Sequence, residues 1–337
     1  MNTRERICQN EMLTLSPAAC HSSDTRGRKV FEEECEFRTA FRRDRDRIIH
    51  SSAFRRLKHK TQVFLIPKSE HYRTRLAHTL EVSQIARTIA SALELNEDLA
   101  EAIALGHDLG HTPFGHDGEE VLNNLVPGGF RHNEQSVRVA EKIEKNGKGL
   151  NLTEEVLDGM LNHRGGGQRP LTLEGQAVRF ADKIAYINHD IEDAIRGGVI
   201  TESDLPINAA RVLGHGKGER ITRLIRSLAQ NSGDDLAFDS ATKEAHDELR
   251  SFLFENVYRA IGTNAERQRA MRLVESLYHY YVDNTELLSG VYREILAADG
   301  AERAVCDFIA GMTDDYAVAK FKELFIPKEW NDEKLTT

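Results

Sequence analysis

Residues 99–111 read LAEAIALGHDLGH, and the end of this stretch decides how the chain is interpreted. The segment is mostly apolar as far as Gly106, where an imidazole and a carboxylate, His107 and Asp108, follow directly. A buried apolar helix seldom ends on such a pair unless the two side chains are hydrogen-bonded to each other or bind a metal ion. The dipeptide alone leaves both alternatives open.

The rest of the chain is also helical in pattern. Proline is scarce, with 7 residues among 337, and apolar residues recur at helical spacing along most of the sequence. No segment alternates convincingly between apolar and polar residues as a strand would, so the sequence predicts an all-α fold. The predicted helices cover residues 42–63, 73–93, 99–105, 118–125, 133–144, 153–162, 173–196 and most of 242–325.

Composition places the chain among globular proteins. It is 40% apolar and 29% charged, and 45 basic residues against 54 acidic ones give a formal charge of −9. Because an acidic chain repels the phosphate backbone, this balance argues against general nucleic-acid binding. No apolar run approaches the ~18 residues of a membrane span, and the N-terminus lacks the apolar core of a signal peptide. We therefore expect a cytoplasmic protein with no membrane association.

Further polar side chains lie within other apolar helices. His78 is flanked by leucines, and Asp182 lies in the segment AVRFADKIAYI at 177–187. If both meet His107 and Asp108, two imidazoles and two carboxylates from three helices form a mixed site for a divalent ion with open coordination positions. Taken singly, His78 is better explained as a hydrogen-bonded core histidine and Asp182 as the partner of a nearby arginine.

The order of these residues is typical of a known family. His78, His107-Asp108 and Asp182 on successive helices resemble the HD-domain metal-dependent phosphohydrolases. Within that superfamily, the chain is similar to the deoxynucleoside triphosphate triphosphohydrolases, specifically the bacterial dGTPase-like proteins. The segments that carry this likeness are RRDRDRIIHSSAFRRLKHKTQVF (42–64), HDLGHTPFGHDGEEVLN (107–123), FRHNEQS (130–136) and RFADKIAYINHDIEDA (179–194).

The resemblance implies an HD-domain helical bundle with additional C-terminal helices. We place an N-terminal arm at 1–36, the HD phosphohydrolase core at 37–200 and a C-terminal helical region packed on the core at 201–337. The implied activity is metal-dependent hydrolysis of deoxynucleoside triphosphates, dGTP or several dNTPs, to deoxynucleoside and inorganic triphosphate.

The resemblance also assigns roles residue by residue. The implied ligands of a divalent metal are His78, His107, Asp108 and Asp182. Mg²⁺ or Mn²⁺ suits the carboxylate share and a phosphate substrate, and Ni²⁺ or Co²⁺ is compatible. The implied catalytic group is His116, Glu119 and His132. A carboxylate three residues after an imidazole shares its helix face and can orient it for proton transfer, although Glu119 is also explained as a charge at a helix N-terminus.

Six further residues are implied to bind the substrate. Those at the phosphates are Arg75, His111 and Lys183, and those at the sugar are Gln62, Tyr186 and Asp190. The tyrosine is implied to pack under the deoxyribose, and the aspartate and glutamine are implied to hydrogen-bond its 3′-hydroxyl. Standing alone, the same tyrosine and aspartate would be explained as a core residue and a helix cap.

Two other functions stay open at this point. The chain is also compatible with an HD phosphohydrolase for a nucleoside monophosphate or an alarmone, and with a nucleotide-sensing or ssDNA-binding protein of little turnover. His116 and Glu119 argue against the second alternative. We expect the basic run between Arg42 and Lys60 to be mostly a solvated or subunit-contacting face, with binding of an effector nucleotide or ssDNA as the weaker alternative. The resemblance implies a homo-oligomer, tetramer or hexamer, that a deoxynucleotide effector can activate.

Overall fold

The computed structural model describes residues 1–62, 73–258 and 265–327, and helices dominate all three ranges. Within them, the β-type pairings are two isolated bridges, Arg28 with Thr153 and Thr61 with Thr74. The prediction of an all-α fold is confirmed. Among the described residues, no helix combines the length and the apolar composition that a membrane crossing needs.

Nine α-helices lie in the described part of the first 200 residues. They are α1 Thr3–Thr14, α2 Ala40–Ile49, α3 Ser52–Arg56, α4 Arg75–Ala92, α5 Glu97–Gly106, α6 His116–Leu125, α7 His132–Arg138, α8 Glu154–Asn162 and α9 Leu173–Arg196. The described residues after 200 add α10 Ile207–Leu213, α11 Lys217–Asn231, α12 Ser240–Leu253, α13 Ala265–Asp283, α14 Val291–Asp299, α15 Ala301–Ala310 and α16 Asp314–Phe325. Short π-helical turns follow α7 and α12, at Val139–Ile143 and Phe254–Tyr258.

Helix α5 lies in the core and packs against α2, α4, α8 and α9. It begins where the Asn96 side chain accepts hydrogen bonds from first-turn N–H groups, and Leu99 behind this cap is completely buried. At the other end, Gly106 lies so close to α8 that an added Cβ would be 2.7 Å from the Met160 sulfur. A glycine at this position allows the close approach of α5 and α8, which holds the following His107 against the neighbouring helices.

The long helices α4 and α9 pack against each other and also against α5. They carry His78 and Asp182, the other two predicted ligands from separate helices. The side chains of Thr74 and Thr172 cap α4 and α9 by accepting N–H hydrogen bonds from the first turn of each. Helix α9 has the predicted bounds, because a cap precedes it and Gly198, with a φ of 67°, lies just beyond its end.

Several segments differ from the predicted helices, among them α10 and α11, which lie outside every predicted range. The pattern over 42–63 predicted one helix, but Ser51 accepts a hydrogen bond from the Phe54 N–H and starts a separate helix α3; residue 63 lies outside the described residues. Helix α1 falls in a polar segment where no helical period was recognised. A capping box between Asn2 and Glu5 begins it, so local hydrogen bonds, not an apolar stripe, mark this helix.

The helices after residue 200 contact the first half of the chain in several places. Helix α13 packs against α6, and also against α15 and α16. Asp314, the first residue of α16, accepts hydrogen bonds from the backbone N–H groups of Thr61 and Phe114. Arg138 of α7 forms an ion pair with Asp307 of α15. The division of the chain at residues 36 and 200 stays a prediction.

Candidate active site

The four predicted metal ligands meet where α4, the end of α5 and α9 come together. One ligand atom from each of His78, His107 and Asp108 lies within 4.8 Å of the other two. Oδ1 of Asp182 lies 3.1 Å from Nε2 of His78 and 4.0 Å from Nε2 of His107. The structure therefore brings two imidazoles and two carboxylates into one cluster from three separate helices.

The hydrogen bonding of His107 fits a metal ligand. Its Nδ1 lies 2.6 Å from the backbone oxygen of Ala104. Because a carbonyl can only accept, the proton is on Nδ1 and the lone pair is on Nε2. That Nε2 is buried, without a hydrogen-bond partner among the described residues, and lies 3.5 Å from Oδ1 of Asp108. A lone pair that faces carboxylates needs a cation between them, so these residues fit a divalent metal ion.

Burial and neighbouring positive groups act in opposite directions on the two carboxylates. Burial raises the pKa of Asp108, but electrostatic interactions with the nearby His107 and His111 rings and the Arg75 guanidinium outweigh burial and hold this pKa well below its usual value. Burial likewise raises the pKa of Asp182, and the hydrogen bond from His78 reverses the shift and lowers it. Both carboxylates are therefore ionised near neutral pH, which is the form that binds a cation.

Arg75, predicted to bind the triphosphate, is only partly hydrogen-bonded. Its Nη1 donates to Oδ2 of Asp108 at 2.8 Å, and the residue is 1% exposed. Its Nε and Nη2 have no partner among the residues that the structure describes. Because buried N–H groups left unpaired are costly, a guanidinium in this state at a cavity favours binding of an anion.

Glu119 connects the other two members of the predicted catalytic group, His116 and His132. Its Oε2 lies 3.2 Å from Nδ1 of His116 and 2.8 Å from Nδ1 of His132. Its Oε1 accepts hydrogen bonds from the His132 N–H and from Arg164, each at 3.2 Å. Burial raises the pKa of Glu119, but the hydrogen bonds from the two histidines hold it far below its usual value. The side chain of His116 is 55% exposed, so this member of the group is accessible to a substrate.

His111 lies between the cluster of four predicted metal ligands and the predicted catalytic group. Its ring stacks on that of His132 with the centroids 4.0 Å apart, and its Nε2 lies 3.5 Å from Oδ1 of Asp108. Burial lowers the pKa of His111 well below its usual value, so this imidazole is neutral. It also lines the cavity above the cluster. The structure thus places this predicted phosphate-binding residue beside both groups.

A cavity of about 1420 Å³ extends from the cluster along α9. Gln62, Lys183 and Tyr186, three of the predicted substrate residues, line it together with Arg75 and His111. Oε1 of Gln62 is buried and has no hydrogen-bond partner within the described ranges. Burial lowers the pKa of Lys183, whose Nζ lies 5.5 Å from the centre of the Phe180 ring.

Asp190, the remaining predicted substrate residue, is not among the residues that line the cavity. It is 1% exposed, and its Oδ2 accepts a hydrogen bond from the hydroxyl of Tyr258. Burial raises the pKa of Asp190 to about 7. Tyr258 does line the cavity, with its ring 5.8 Å from that of Tyr186. Direct contact between Asp190 and the sugar therefore stays a prediction, and the structure adds a tyrosine beside it.

Sequence reasoning missed three residues of the site, His163, Arg164 and Tyr258. The first two stand immediately before Gly165, in the segment NHRGGG. A histidine and an arginine directly before a glycine run could have indicated a functional loop from the sequence alone. Tyr258 belongs to no histidine or charge motif. Only the packing of the turn after α12 brings it against Asp190, so no local pattern could have found it.

The basic run between Arg42 and Lys60 is largely engaged within the chain. Arg42 donates to Asp98 at 2.5 Å. Lys60 is 3% exposed and donates to the backbone oxygens of His111 and Ala310, so the expectation of a solvated face is wrong for this lysine. A second cavity of about 320 Å³ lies along this run, lined by Arg38, Arg43, Arg47, His50 and Lys145 among others. An effector at this surface stays a prediction.

The fold and the site define the class of the protein as an HD-domain phosphohydrolase. Residues 75–187 match the family described as the HD domain, and residues 236–323 match the phosphohydrolase-associated domain. The first match spans α4 to α9 and contains all four members of the metal cluster.

Full-length relatives narrow the class. Proteins named deoxyguanosinetriphosphate triphosphohydrolase-like are 56% identical in Caldanaerobacter subterraneus over 99% of both chains, and 53% identical in Clostridium perfringens over 97% of this chain and 99% of the relative. The chain belongs to this deoxyguanosinetriphosphate triphosphohydrolase-like family. A solved phosphohydrolase from Bacteroides thetaiotaomicron, 18% identical with a TM-score of 0.54 over 83% of this chain and 68% of that one, shares the fold.

Proposed function

We propose that this chain hydrolyses deoxynucleoside triphosphates to deoxynucleosides and inorganic triphosphate with a bound divalent metal ion. The observation that carries the proposal is the position of the metal cluster directly beside the group formed by His116, Glu119 and His132, at one cavity. The names of the full-length relatives support a deoxynucleotide substrate.

The donor set favours a hard or borderline divalent ion. When bound, such an ion supplies Lewis-acid polarisation of a phosphate oxygen. The residues proposed to hold it are His78, His107, Asp108 and Asp182. We propose Mg²⁺ or Mn²⁺ because half of these ligands are carboxylates and the substrate adds more oxygen atoms, while Ni²⁺ or Co²⁺ would suit the imidazoles.

His116 is proposed to handle protons. In the reaction, a water oxygen bonds to the α-phosphorus as the bond from that phosphorus to O5′ breaks. The water gives up a proton, and O5′ of the departing deoxynucleoside gains one. Glu119 holds Nδ1 of His116 and leaves its Nε2 free to exchange a proton, and the same carboxylate holds His132. General acid–base catalysis of this kind contributes about 10²- to 10⁴-fold.

The charges and shape of the cavity support a triphosphate and a deoxyribose. Arg75 and Lys183 line it as positively charged groups suited to phosphate oxygens, and Nε and Nη2 of Arg75 have no partner among the described residues. We propose that Tyr186 packs under the deoxyribose, where a ribose 2′-hydroxyl would collide. The unpartnered Oε1 of Gln62 is a buried acceptor, and an acceptor left unpaired would reject a sugar that lacks the 3′-hydroxyl. Asp190 completes this proposed sugar site through Tyr258.

Product analysis tests the reaction. The protein is incubated with each of the four dNTPs and with GTP, in Mg²⁺ and then in Mn²⁺, and the products are resolved by ion-exchange chromatography. We expect inorganic triphosphate and a deoxynucleoside from at least one dNTP, and neither triphosphate nor nucleoside from GTP. Orthophosphate or pyrophosphate as the sole phosphate product would contradict the proposal and indicate a different nucleotide phosphohydrolase.

The variant Asp182→Ala tests the ligand assignment. We expect it to lose bound metal and activity together, because the carboxylate contacts both imidazoles of the cluster. Asp247→Ala is the matched control, since this carboxylate lines the same cavity outside the cluster and should leave the metal content unchanged. Metal is counted by mass spectrometry of the dialysed protein. An Asp182→Ala variant that keeps its metal and full activity would remove this residue from the ligand set.

We also propose that the chain works in the cytoplasm as a homo-oligomer, tetramer or hexamer, with a deoxynucleotide effector, as the family resemblance implies. Light scattering at micromolar concentration, with and without a dNTP, measures the assembly. A monomer under both conditions would contradict it.

A further inference from the structure

We propose that His189 and Glu81 act as positioning residues for His78, one of the four residues proposed to hold the metal ion. Nδ1 of His78 lies 3.5 Å from Nδ1 of His189, and Nε2 of His189 lies 2.5 Å from Oε2 of Glu81. The three side chains form a series that leads from the cluster to a carboxylate outside it. The inference rests on the proposed function, because the position of His78 affects the reaction only if the cluster binds a metal ion.

The helices that carry two of the proposed ligands also carry the two positioning residues. Glu81 stands three residues after His78 on α4, and His189 stands seven residues after Asp182 on α9. Spacings of three and seven residues place side chains on one face of a helix. Because α4 and α9 pack against each other, the rings of His78 and His189 meet with their centroids 5.6 Å apart, and both residues are buried.

Glu81 determines which nitrogen of His189 carries the proton. Its Oε1 accepts from Nζ of Lys217 at 3.2 Å, and its Oε2 accepts from Nε of Arg73 at 3.1 Å. A carboxylate between two such cations is ionised and can only accept. Nε2 of His189 therefore bears the proton in its contact with Glu81, and Nδ1 of His189 presents a lone pair.

His78 is then the donor between the two rings. Its Nδ1 gives a hydrogen bond to Nδ1 of His189, so its Nε2, which lies 3.1 Å from Oδ1 of Asp182, presents a lone pair to the cluster. This is the tautomer that binds a metal ion through Nε2. A doubly protonated His189 would remove the acceptor, but burial of the ring and a cation in the cluster both disfavour a second positive charge.

The two imidazoles of the cluster are thus held by different acceptors. His107 donates to the neutral backbone oxygen of Ala104, whereas His78 is connected through His189 to the negative charge of Glu81. An acceptor behind a ligating imidazole fixes its tautomer and ring orientation and raises its basicity, and losing it typically costs about 10- to 100-fold in metal affinity or activity. His189 should therefore raise the metal affinity of the cluster without binding the metal itself.

Packing alone is the alternative role for His189, and two substitutions separate it from positioning. Asparagine keeps an acceptor, because its side-chain oxygen can occupy the place of the histidine Nδ1, whereas leucine fills the space and accepts nothing. If the ring only packs, a buried leucine should be tolerated better than a buried amide. If the ring positions His78, the asparagine variant should keep its metal affinity and the leucine variant should lose it.

Mn²⁺ binding to the metal-free protein tests the inference. Electron paramagnetic resonance measures the dissociation constant for the binding that Asp182→Ala removes. We expect about 10- to 100-fold weaker binding in His189→Leu and binding close to that of the wild type in His189→Asn. The matched control is His246→Leu, which should bind Mn²⁺ like the wild type, because His246 is also buried but pairs with Asp247 and packs on Phe238.

A second pair of variants tests the carboxylate without replacing a buried ring. Glu81→Ala should also weaken Mn²⁺ binding, because His189 loses the group that fixes its proton. Glu192→Ala is the matched control and should bind Mn²⁺ like the wild type. The two glutamate side chains are 33% and 34% exposed and both form ion pairs with Arg73 and Lys217. Within the described residues, only Glu81 of the two contacts His189.

The outcomes separate this inference from the proposed function. Wild-type protein that binds no Mn²⁺ would overturn both. Binding that stays as tight in His189→Leu as in the wild type, or that is weaker in His189→Asn than in His189→Leu, would overturn the positioning role and leave the four-ligand cluster standing. If His189→Leu does not fold, the two glutamate variants decide, and equal Mn²⁺ affinities for Glu81→Ala and Glu192→Ala would contradict the inference.

Discussion

The burial of Asp190 predicts a pH-dependent loss of stability. Its pKa rises from a usual value near 3.8 to about 7, because burial disfavours the carboxylate. A group whose pKa is raised by folding stabilises the folded state fully below its unfolded pKa and loses that contribution as the pH rises through the folded pKa. Between about pH 4 and pH 7 this carboxyl is ionised in the unfolded chain but still protonated in the folded one. The free energy of unfolding should therefore fall by a few kcal/mol over this range, at roughly 1.4 kcal/mol per pKa unit.

Asp190→Asn isolates this contribution because the amide does not titrate. Urea unfolding of the metal-free protein at pH 5 and pH 8 should show that the variant gains stability relative to the wild type as the pH rises. The substitution Asp234→Asn, at an exposed aspartate, controls for removal of a carboxylate. A stability difference between Asp190→Asn and wild type that is the same at both pH values would contradict the prediction.

At the scale of elements, Asp314 positions two loops of the site from the start of α16. Its Oδ2 accepts from the Thr61 N–H at 2.9 Å and from the hydroxyl of the same threonine. Its Oδ1 accepts from the Phe114 N–H at 3.0 Å. Phe114 has a φ of 60°, a left-handed conformation that costs a bulky residue about 1–3 kcal/mol and persists only where its surroundings hold it. The carboxylate thus supports the turn that leads into His116 and the segment that precedes Gln62.

Asp314→Asn should lower kcat/KM by about 10- to 100-fold without loss of bound metal. The amide places an N–H group against a backbone donor, and hydrogen bonds to a charged group contribute roughly 1.5–3 kcal/mol each. Asp315→Asn is the matched control, since it removes an exposed charge from the same helix terminus. Steady-state kinetics with the preferred dNTP, together with the metal count, makes the measurement. Equal kinetics for the two variants would show that Asp314 does not position the site.

Elements differ in how far their residues could be predicted. Helix α9 was predicted with both ends, because a strong apolar period begins at Leu173 and stops at the glycines after Arg196. Helix α1 was missed because its residues form no apolar stripe. The Glu11 carboxylate accepts hydrogen bonds from the N–H and the hydroxyl of Ser22, and these bonds help to hold the helix. The burial of Lys60 could not be inferred from a basic run, since its partners are backbone oxygens distant in sequence.

In the site, too, local motifs predicted some residues, while others depend on contacts that the sequence does not show. The residues predicted to bind metal and to act in catalysis lie in short motifs with recognisable order, such as HDLGH at 107–111, and the structure brings them together as that order suggested. Tyr258, at the end of the turn after α12, depends on tertiary packing alone, whereas His163 stands before a glycine run that was not used as a signal. Asp190 was predicted as a substrate contact from the family resemblance, but the resemblance does not reveal that the hydroxyl of Tyr258, which lines the cavity, donates a hydrogen bond to it.

At the scale of the whole molecule, one buried carboxylate links the HD region to the C-terminal helices. The Asp307 side chain on α15 is completely buried, and Arg138 of α7 donates to both of its oxygens at 3.0 and 2.7 Å. Gln135 and Arg303 donate to the same carboxylate at 2.9 and 2.6 Å. Because α7 also carries His132, this contact connects the C-terminal helices with the predicted catalytic group.

Asp307→Asn should therefore destabilise the protein by about 3 kcal/mol or more, because removing one partner leaves the guanidinium groups of Arg138 and Arg303 without their buried counter-charge. Asp299→Asn is the control, since Arg138 also donates to Asp299 at 2.5 Å, but that carboxylate is 26% exposed and should contribute only about 0–1 kcal/mol. Urea unfolding at pH 7 compares the two variants. If both variants lose a similar amount of unfolding free energy, burial does not govern this contact. If Asp307→Asn loses only a little, the C-terminal helices are held to the HD region by apolar packing instead.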